Sequence, residues 1–198
     1  MNDLGPERYQ SDRFIRKLLH LADARNTDIF YDLGCGIGQL CIVAVTEFDV
    51  RKAVGIELHR GRAKKAEKRV KELGLDDRIE IRNEDFWLSD ISEATIVYYG
   101  LTEVDEDVAN CEKKLSPCCR VVTLFLPFLG VVPKEADYPF YLMQLPFKKT
   151  ENASLWISKV LFKEATFKEL YQELDSDKEY QYDKVTFKRL VKERLVKE

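Results

Sequence analysis

The sequence predicts an α/β fold: one doubly wound sheet of seven strands with helices on both faces, followed by a helical C-terminal extension. Three observations carry this. Apolar runs of strand length alternate with helix-length segments between residues 12 and 162, the pattern of strand and crossover-helix units around a parallel sheet. A glycine-rich turn, Gly34-Cys35-Gly36-Ile37-Gly38, follows the first apolar run and leads straight into a helix-like run. Such a turn lets the backbone approach a ligand closely. A chain of 198 residues with 45% hydrophobic content can bury the core of one domain.

In chain order the pattern reads as helix 12–24, strand 28–33, helix 38–48, strand 52–57, helix 59–73, strand 78–82, strand 94–99, helix 104–114, strand 119–126, and two strand-like runs at 138–145 and 154–162. Segment 59–73 turns Ala63, Ala66 and Val70 inward, while Arg60, Arg62, Lys64, Lys65, Lys68, Arg69 and Lys71 form its solvated face. Strand 78–82 shows the alternation Arg78-Ile79-Glu80-Ile81-Arg82. Residues 163–198 differ in character. Thr166-Phe167-Lys168-Glu169 is a capping-box pattern, followed by Phe167, Leu170, Tyr171 and Leu174 at helical spacing and by a second set, Phe187, Leu190, Val191 and Leu195. The expected organisation is an α/β domain over 1–162 with a helical extension over 163–198 packed on its flank. A homodimer or partner surface formed by those helices is the alternative.

A sheet of this kind binds its ligand at the carboxyl ends of its strands. Asp32 stands there, two residues before the first glycine. Its carboxylate suits a cofactor with a cationic ammonium and repels a pyrophosphate. S-adenosylmethionine (SAM) carries such an ammonium. The dinucleotide fingerprint G-x-G-x-x-G/A fails when started at Gly34, where Gln39 takes the third glycine position, and is a near miss from Gly36, where Cys41 does. Glu57 ends the second strand roughly 20 residues past the glycines, where a carboxylate takes the ribose hydroxyls of either cofactor. Asp85-Phe86 follows the third strand. Its acid can accept from an adenine amino group and its ring can stack on the base.

With these residues in place the chain resembles the class I, Rossmann-like, seven-strand SAM-dependent methyltransferases. Asp32-Leu33-Gly34-Cys35-Gly36-Ile37-Gly38, Val54-Gly55-Ile56-Glu57, Asp85-Phe86 and Ala94-Thr95-Ile96-Val97-Tyr98-Tyr99 carry the likeness. Leu115-Ser116-Pro117-Cys118-Cys119-Arg120-Val121-Val122 resembles that family's L-x-P-G-G-R-V-V lead into the fifth strand, with cysteine at both glycine positions. Tyr31-Asp32-Leu33-Gly34-Cys35-Gly36, Lys52-Ala53-Val54-Gly55-Ile56-Glu57 and Asp90-Ile91-Ser92-Glu93-Ala94-Thr95-Ile96-Val97 look more closely like the small archaeal protein-lysine methyltransferases. That group has a tyrosine and prolines ahead of its first core helix. Here Arg8-Tyr9-Gln10-Ser11-Asp12 keeps the tyrosine without a proline. The resemblance implies a cofactor set of Asp32, Gly34, Cys35, Gly36, Gly38, Gln39, Glu57, Leu58, Asp85, Phe86 and Tyr9, no metal, and S-adenosylhomocysteine (SAH) as the spent cofactor.

Tyr98 and Tyr99, at the end of the fourth strand, are the candidate catalytic residues. A lysine attacks only when neutral, and with a free pKa of ~10.4 it needs a desolvating aromatic wall. Strand alternation puts one tyrosine on the pocket side and the other away from it. Tyr98-Tyr99-Gly100-Leu101 is not the N/D-P-P-Y/F motif of enzymes that methylate adenine or cytosine amino groups. With a net charge of −3, the expected partner is a protein with accessible lysines, and nucleic acid is not expected. The acids Glu103, Asp105, Glu106 and Asp107 suit either a helix N-terminus or a rim attracting basic segments. The alternatives are methylation of a small molecule or RNA, and a catalytically silent SAM-binding module. Five cysteines without C-x-x-C pairs and no ~18-residue apolar run fit a cytoplasmic protein with no membrane partner. His20 and His59 are expected on helix surfaces.

Overall fold

A computed structural model describes residues 10–100, 108–124, 127–128, 131–137 and 139–149. Helix α1 (Asp12–Leu21) leads into strand β1 (Ile29–Leu33), followed by α2 (Gln39–Phe48), β2 (Lys52–Ile56), α3 (Arg60–Glu72), β3 (Ile79–Arg82), β4 (Ile96–Tyr99), α4 (Val108–Lys114), β5 (Arg120–Leu124), β6 (Glu135–Asp137) and β7 (Phe140–Gln144). The seven strands form one sheet in the order β3-β2-β1-β4-β5-β7-β6. The order reverses between β1 and β4. Right-handed crossovers therefore put α2 and α3 on one face and α4 on the other, and the crevice opens at the carboxyl ends of β1 and β4.

The chain divides into two compact units, one of Met1–Phe128 with Pro133–Lys148 and one of Leu129–Val132 with Lys149–Glu198. The first holds all the elements named above. In the second, Val131 pairs antiparallel with Lys149. The strand expected at 154–162, the boundary at 162/163, the extension over 163–198 and the dimer surface assigned to it, Tyr9, and the acids from Glu103 to Asp107 lie outside the described residues.

Two expectations are corrected. The sheet is parallel only through β5, because β7 runs antiparallel to β5 and β6 antiparallel to β7. Strand β6 was not expected at all. Glu135, Ala136 and Asp137 are all exposed, so no apolar period marks them. Their strand conformation comes from pairing with Leu142, Tyr141 and Phe140.

Local chemistry explains the helix limits. Ser11 caps α1, its hydroxyl accepting from Phe14 N–H at 3.3 Å, and Phe14, Ile15, Leu18 and Leu19 make the buried stripe. Helix α2 is buried from Gln39 to Val45 and ends where Asp49 takes φ 55°. His59, expected as a plain surface residue, caps α3: its Nδ1 accepts from Gly61 N–H at 3.1 Å and Arg62 N–H at 3.3 Å. Cys118 holds φ 68° at the first glycine position of the family's turn. A residue with a Cβ takes this left-handed conformation at a cost of about 1–2 kcal/mol. Among the described residues, no helix is long and apolar enough to cross a membrane.

Two polar networks brace the sheet. At its amino edge the Asp28 carboxylate, 4% exposed, accepts from the Thr95 hydroxyl at 2.8 Å, from Arg25 N–H at 2.8 Å and from the Arg120 guanidinium. Arg120 also donates to Ala22 and Asp23 carbonyls. On the face opposite α2, the Tyr31 hydroxyl and Lys52 both donate to Glu93 at 2.9 Å, and Arg82 donates to Glu80 at 2.6 Å and to Asp90 O at 3.0 Å. The Arg82 hydrogen bond brings Glu80 down to about 2. The segment 90–97, the most distinctive part of the archaeal likeness, is thereby tied to β1, β2 and β3.

Candidate cofactor and acceptor site

The glycine turn is welded to the neighbouring strand. Gly34 and Cys35 N–H both donate to Ile56 O, at 2.8 and 3.0 Å. Gly34, Gly36 and Gly38 have φ of 91°, 57° and 76°, which glycine adopts without a Cβ penalty. A Cβ at Gly36 would meet nothing within 4 Å, so the turn presents an open side there. Gly38 begins α2 with no side-chain cap.

Asp32 is the most unusual group in the turn. It is 2% exposed, and its Oδ2 has no hydrogen-bond partner among the described residues. Burial first, and the Glu57 carboxylate second, push its carboxyl up to about 7. A buried carboxylate oxygen without a donor is costly, and a cationic N–H donor is its complement. Glu57 is committed differently. Its Oε2 accepts from Gly36 N–H at 2.9 Å and its Oε1 from His59 N–H at 2.8 Å, so it fastens the turn to the start of α3. Asn83 donates to the Glu57 and Leu58 carbonyls at 2.8 and 3.1 Å. Sequence patterns did not single out Asn83, although its place at the third strand's end is a usable signal. Leu58 is 52% exposed beside this crossing.

Asp85 folds the next loop tightly: its Oδ1 accepts from Trp87 N–H at 2.9 Å and its carbonyl from the Ser89 hydroxyl at 2.9 Å. This turn sets Phe86 against Trp87 and Tyr99, with ring centroids at 4.4 and 5.8 Å. The Asp85 carboxylate therefore anchors its own loop in addition to any ligand role. Gln39 is buried with its amide donating to Asp12 at 3.3 Å. Cys35 lies buried under the turn, its thiol held well above its ordinary pKa by burial and by Asp32 and Glu57, so it is a packing group and no nucleophile.

The two tyrosines separate cleanly. Tyr98 is the register partner of Asp32, and Tyr99 of Leu33, so Tyr98 shares the Asp32 face and Tyr99 takes the other. Tyr98 packs on Phe140 at 6.4 Å, and Phe140 on Phe14 at 4.5 Å. Tyr99 is 1% exposed among Phe86, Trp87 and Phe128. The two rings thus lie on opposite faces of the sheet.

Gly55 tests the packing under the turn. A Cβ there would stand 2.7 Å from Cys35 Sγ and 3.0 Å from Ile81 Cδ1. Gly55→Ala is expected to cost about 1–3 kcal/mol of stability and to weaken SAM binding by displacing the turn, with partial recovery in the Gly55→Ala, Cys35→Ala pair. Thermal melts and calorimetry of both variants check this. A single variant as stable as the wild type would show that the turn yields freely.

The model of the family described as the ANTKMT methyltransferase domain matches residues 32–135, the stretch from Asp32 to the start of β6. The chain belongs to this family. It is similar to a protein-lysine N-methyltransferase of Saccharolobus islandicus, with 39% identity over 126 residues, 63% of this chain and 78% of that protein. It is also similar to the solved structure of an RNA methyltransferase from Salinibacter ruber in complex with SAH, with 32% identity, a TM-score of 0.66, and coverage of 73% of this chain and 98% of that one. YjhP of E. coli, at 16% identity, a TM-score of 0.51, and 61% and 51% coverage, shares the fold. As a member of the ANTKMT methyltransferase family the chain is a SAM-dependent methyltransferase with a Rossmann-like sheet.

Proposed function

We propose that this enzyme methylates protein lysine side chains, with Asp32, Gly34, Gly36, Glu57, Leu58, Asp85 and Phe86 holding SAM and Tyr98 lining the acceptor path. The observation that carries the cofactor assignment is the buried Oδ2 of Asp32, without a partner among the described residues, at the carboxyl end of β1, beside the open side of Gly36. These residues suit SAM: the carboxylate complements its ammonium, Glu57 faces the turn where ribose hydroxyls would lie, and Phe86 offers an adenine face. When bound, SAM supplies an electrophilic methyl group on its sulfonium. The protein's share is to bring a neutral amine into line with it. Tyr98, 3% exposed against Phe140, supplies the apolar wall that favours the uncharged amine. Tyr99, on the other face, is reassigned to supporting Phe86.

The lysine acceptor is supported by similarity to the Saccharolobus islandicus enzyme and by the absence of an N/D-P-P-Y/F motif after β4. RNA is the second reading, favoured by similarity to the Salinibacter ruber protein. One reaction separates them: the enzyme with methyl-labelled SAM, a lysine-rich protein pool and an RNA pool. The expected result is label on lysine, located by mass spectrometry after digestion. Label confined to RNA would overturn the lysine acceptor, and tight SAM binding without transfer to either pool would point to a silent module.

A further inference from the structure

Gln10 lies in the Arg8–Asp12 segment but is not among the residues that the resemblance assigns to the cofactor. It precedes the cap of α1, and its Nε2 lies 3.5 Å from the Tyr98 hydroxyl. Its Oε1 is buried and has no hydrogen-bond partner among the described residues. A buried amide oxygen without a donor carries a desolvation cost. A donor arriving from outside removes that cost. Asp32 Oδ2 at the end of β1 and Thr123 Oγ1 on β5 are likewise buried without a partner among the described residues, and of these three oxygens those of Asp32 and Gln10 carry no proton of their own to donate. The two differ in kind: Asp32 is a carboxylate at the end of β1, suited to a fixed positive charge, and Gln10 is a neutral amide beside a phenol. The Tyr98 hydroxyl would stand 2.7 Å from a Cβ on Gly100, so the ring tip reaches the carboxyl edge of β4, where the acceptor enters a sheet of this topology.

We propose that Gln10 orients the acceptor amine and thereby favours the first two methyl transfers over a third. This inference rests on the lysine reading above. The Gln10 Oε1 accepts one N–H of the neutral amine, which leaves the nitrogen lone pair free to point at the methyl carbon. A carboxylate in its place would hold the amine protonated, whereas the neutral amide does not. The count of N–H groups then decides the outcome. A neutral lysine amine has two, its monomethyl form one, and its dimethyl form none. The third transfer proceeds without the hydrogen bond that orients the first two.

The test uses the full-length enzyme and three synthetic peptides that differ only in one lysine, unmodified, monomethylated or dimethylated. Gln10→Leu is expected to lower kcat on the first two by about threefold to tenfold, the range of one neutral hydrogen bond. It is expected to leave the dimethyl peptide within twofold and SAM affinity by calorimetry unchanged. Gln10→Glu keeps an acceptor, so its rate on the unmodified peptide is expected to recover at higher pH, with the rising limb of the pH profile shifted upward. It also serves as the second variant should Gln10→Leu fail to fold. An equal fall on all three peptides, or an unchanged ratio between them, overturns the role of Gln10 and leaves the lysine reading standing. A loss confined to SAM affinity places Gln10 at the cofactor and overturns it as well. If the wild type methylates none of the peptides while binding SAM, both readings fall.

Discussion

Replacing Asp32 by alanine is expected to weaken SAM binding by roughly tenfold to a hundredfold, the range of a charge-assisted hydrogen bond. The same residue should impose a pH dependence on binding. Its carboxyl is raised from 3.8 to about 7 in the folded protein, by burial and then by Glu57. For an acid raised on folding, the stabilising contribution is complete below about 3.8 and is lost as pH rises through 7, so the protein alone is less stable on the alkaline side of that window. A bound ammonium reverses the preference, because it requires the ionised carboxylate. SAM affinity should therefore fall as pH drops below 7, approaching tenfold per pH unit, and Asp32→Asn should be weak and flat across the same range. Calorimetry from pH 5.5 to 8 checks both. Wild-type affinity in Asp32→Ala, or a flat wild-type profile, would sink the assignment of Asp32 to the ammonium.

The largest stability effect is expected at the other edge of the sheet. Removing the Arg120 side chain leaves Asp28 buried with only the Thr95 hydroxyl and the Arg25 amide as donors. Breaking one side of such a buried pair costs about 3–5 kcal/mol, which for a chain of this size lowers the melting temperature by roughly 10 °C. Arg120→Ala should show this loss while the folded fraction binds SAM as before, because the Asp28 network lies at the amino ends of β1 and β5 and the proposed cofactor groups at the carboxyl ends. Arg120→Ala and Asp28→Asn together should be less damaging than Arg120→Ala alone, since the stranded charge is gone. A melting temperature within two degrees of wild type in Arg120→Ala would show that the pair is solvated.

The elements that sequence periodicity placed well are those whose pattern is local. Strands β1 and β2 are nearly continuous apolar runs bounded by charged or glycine residues, and both appear within one residue of the expected limits. Asp32, Glu57 and Asp85 stand at strand ends because the apolar runs before them are local, but the backbone N–H groups that Glu57 and Asp85 hold, at Gly36, His59 and Trp87, were not legible. Alternation foretold that Tyr98 and Tyr99 would part, without saying which would share the face of Asp32. That choice follows from the pairing of β4 with β1, between segments far apart in the chain.

What stayed hidden was non-local in the same sense. Glu135–Asp137 becomes strand β6 through its neighbour β7 and not through its own residues. The left-handed conformation of Cys118, φ 68°, has no signature in its own residue type. Gln10 meets Tyr98 across 88 residues, and Arg120 meets Asp28 across 92. From the sequence alone came the α/β class, the parallel run of strands and the choice of SAM as cofactor, because period, glycine placement and charge act over a few residues. The antiparallel edge, the side chains that brace the sheet, and the buried oxygens of Asp32 and Gln10 that find no donor among the described residues were decided by tertiary structure, because burial and hydrogen-bond pairing depend on which distant segments the closed chain brings together.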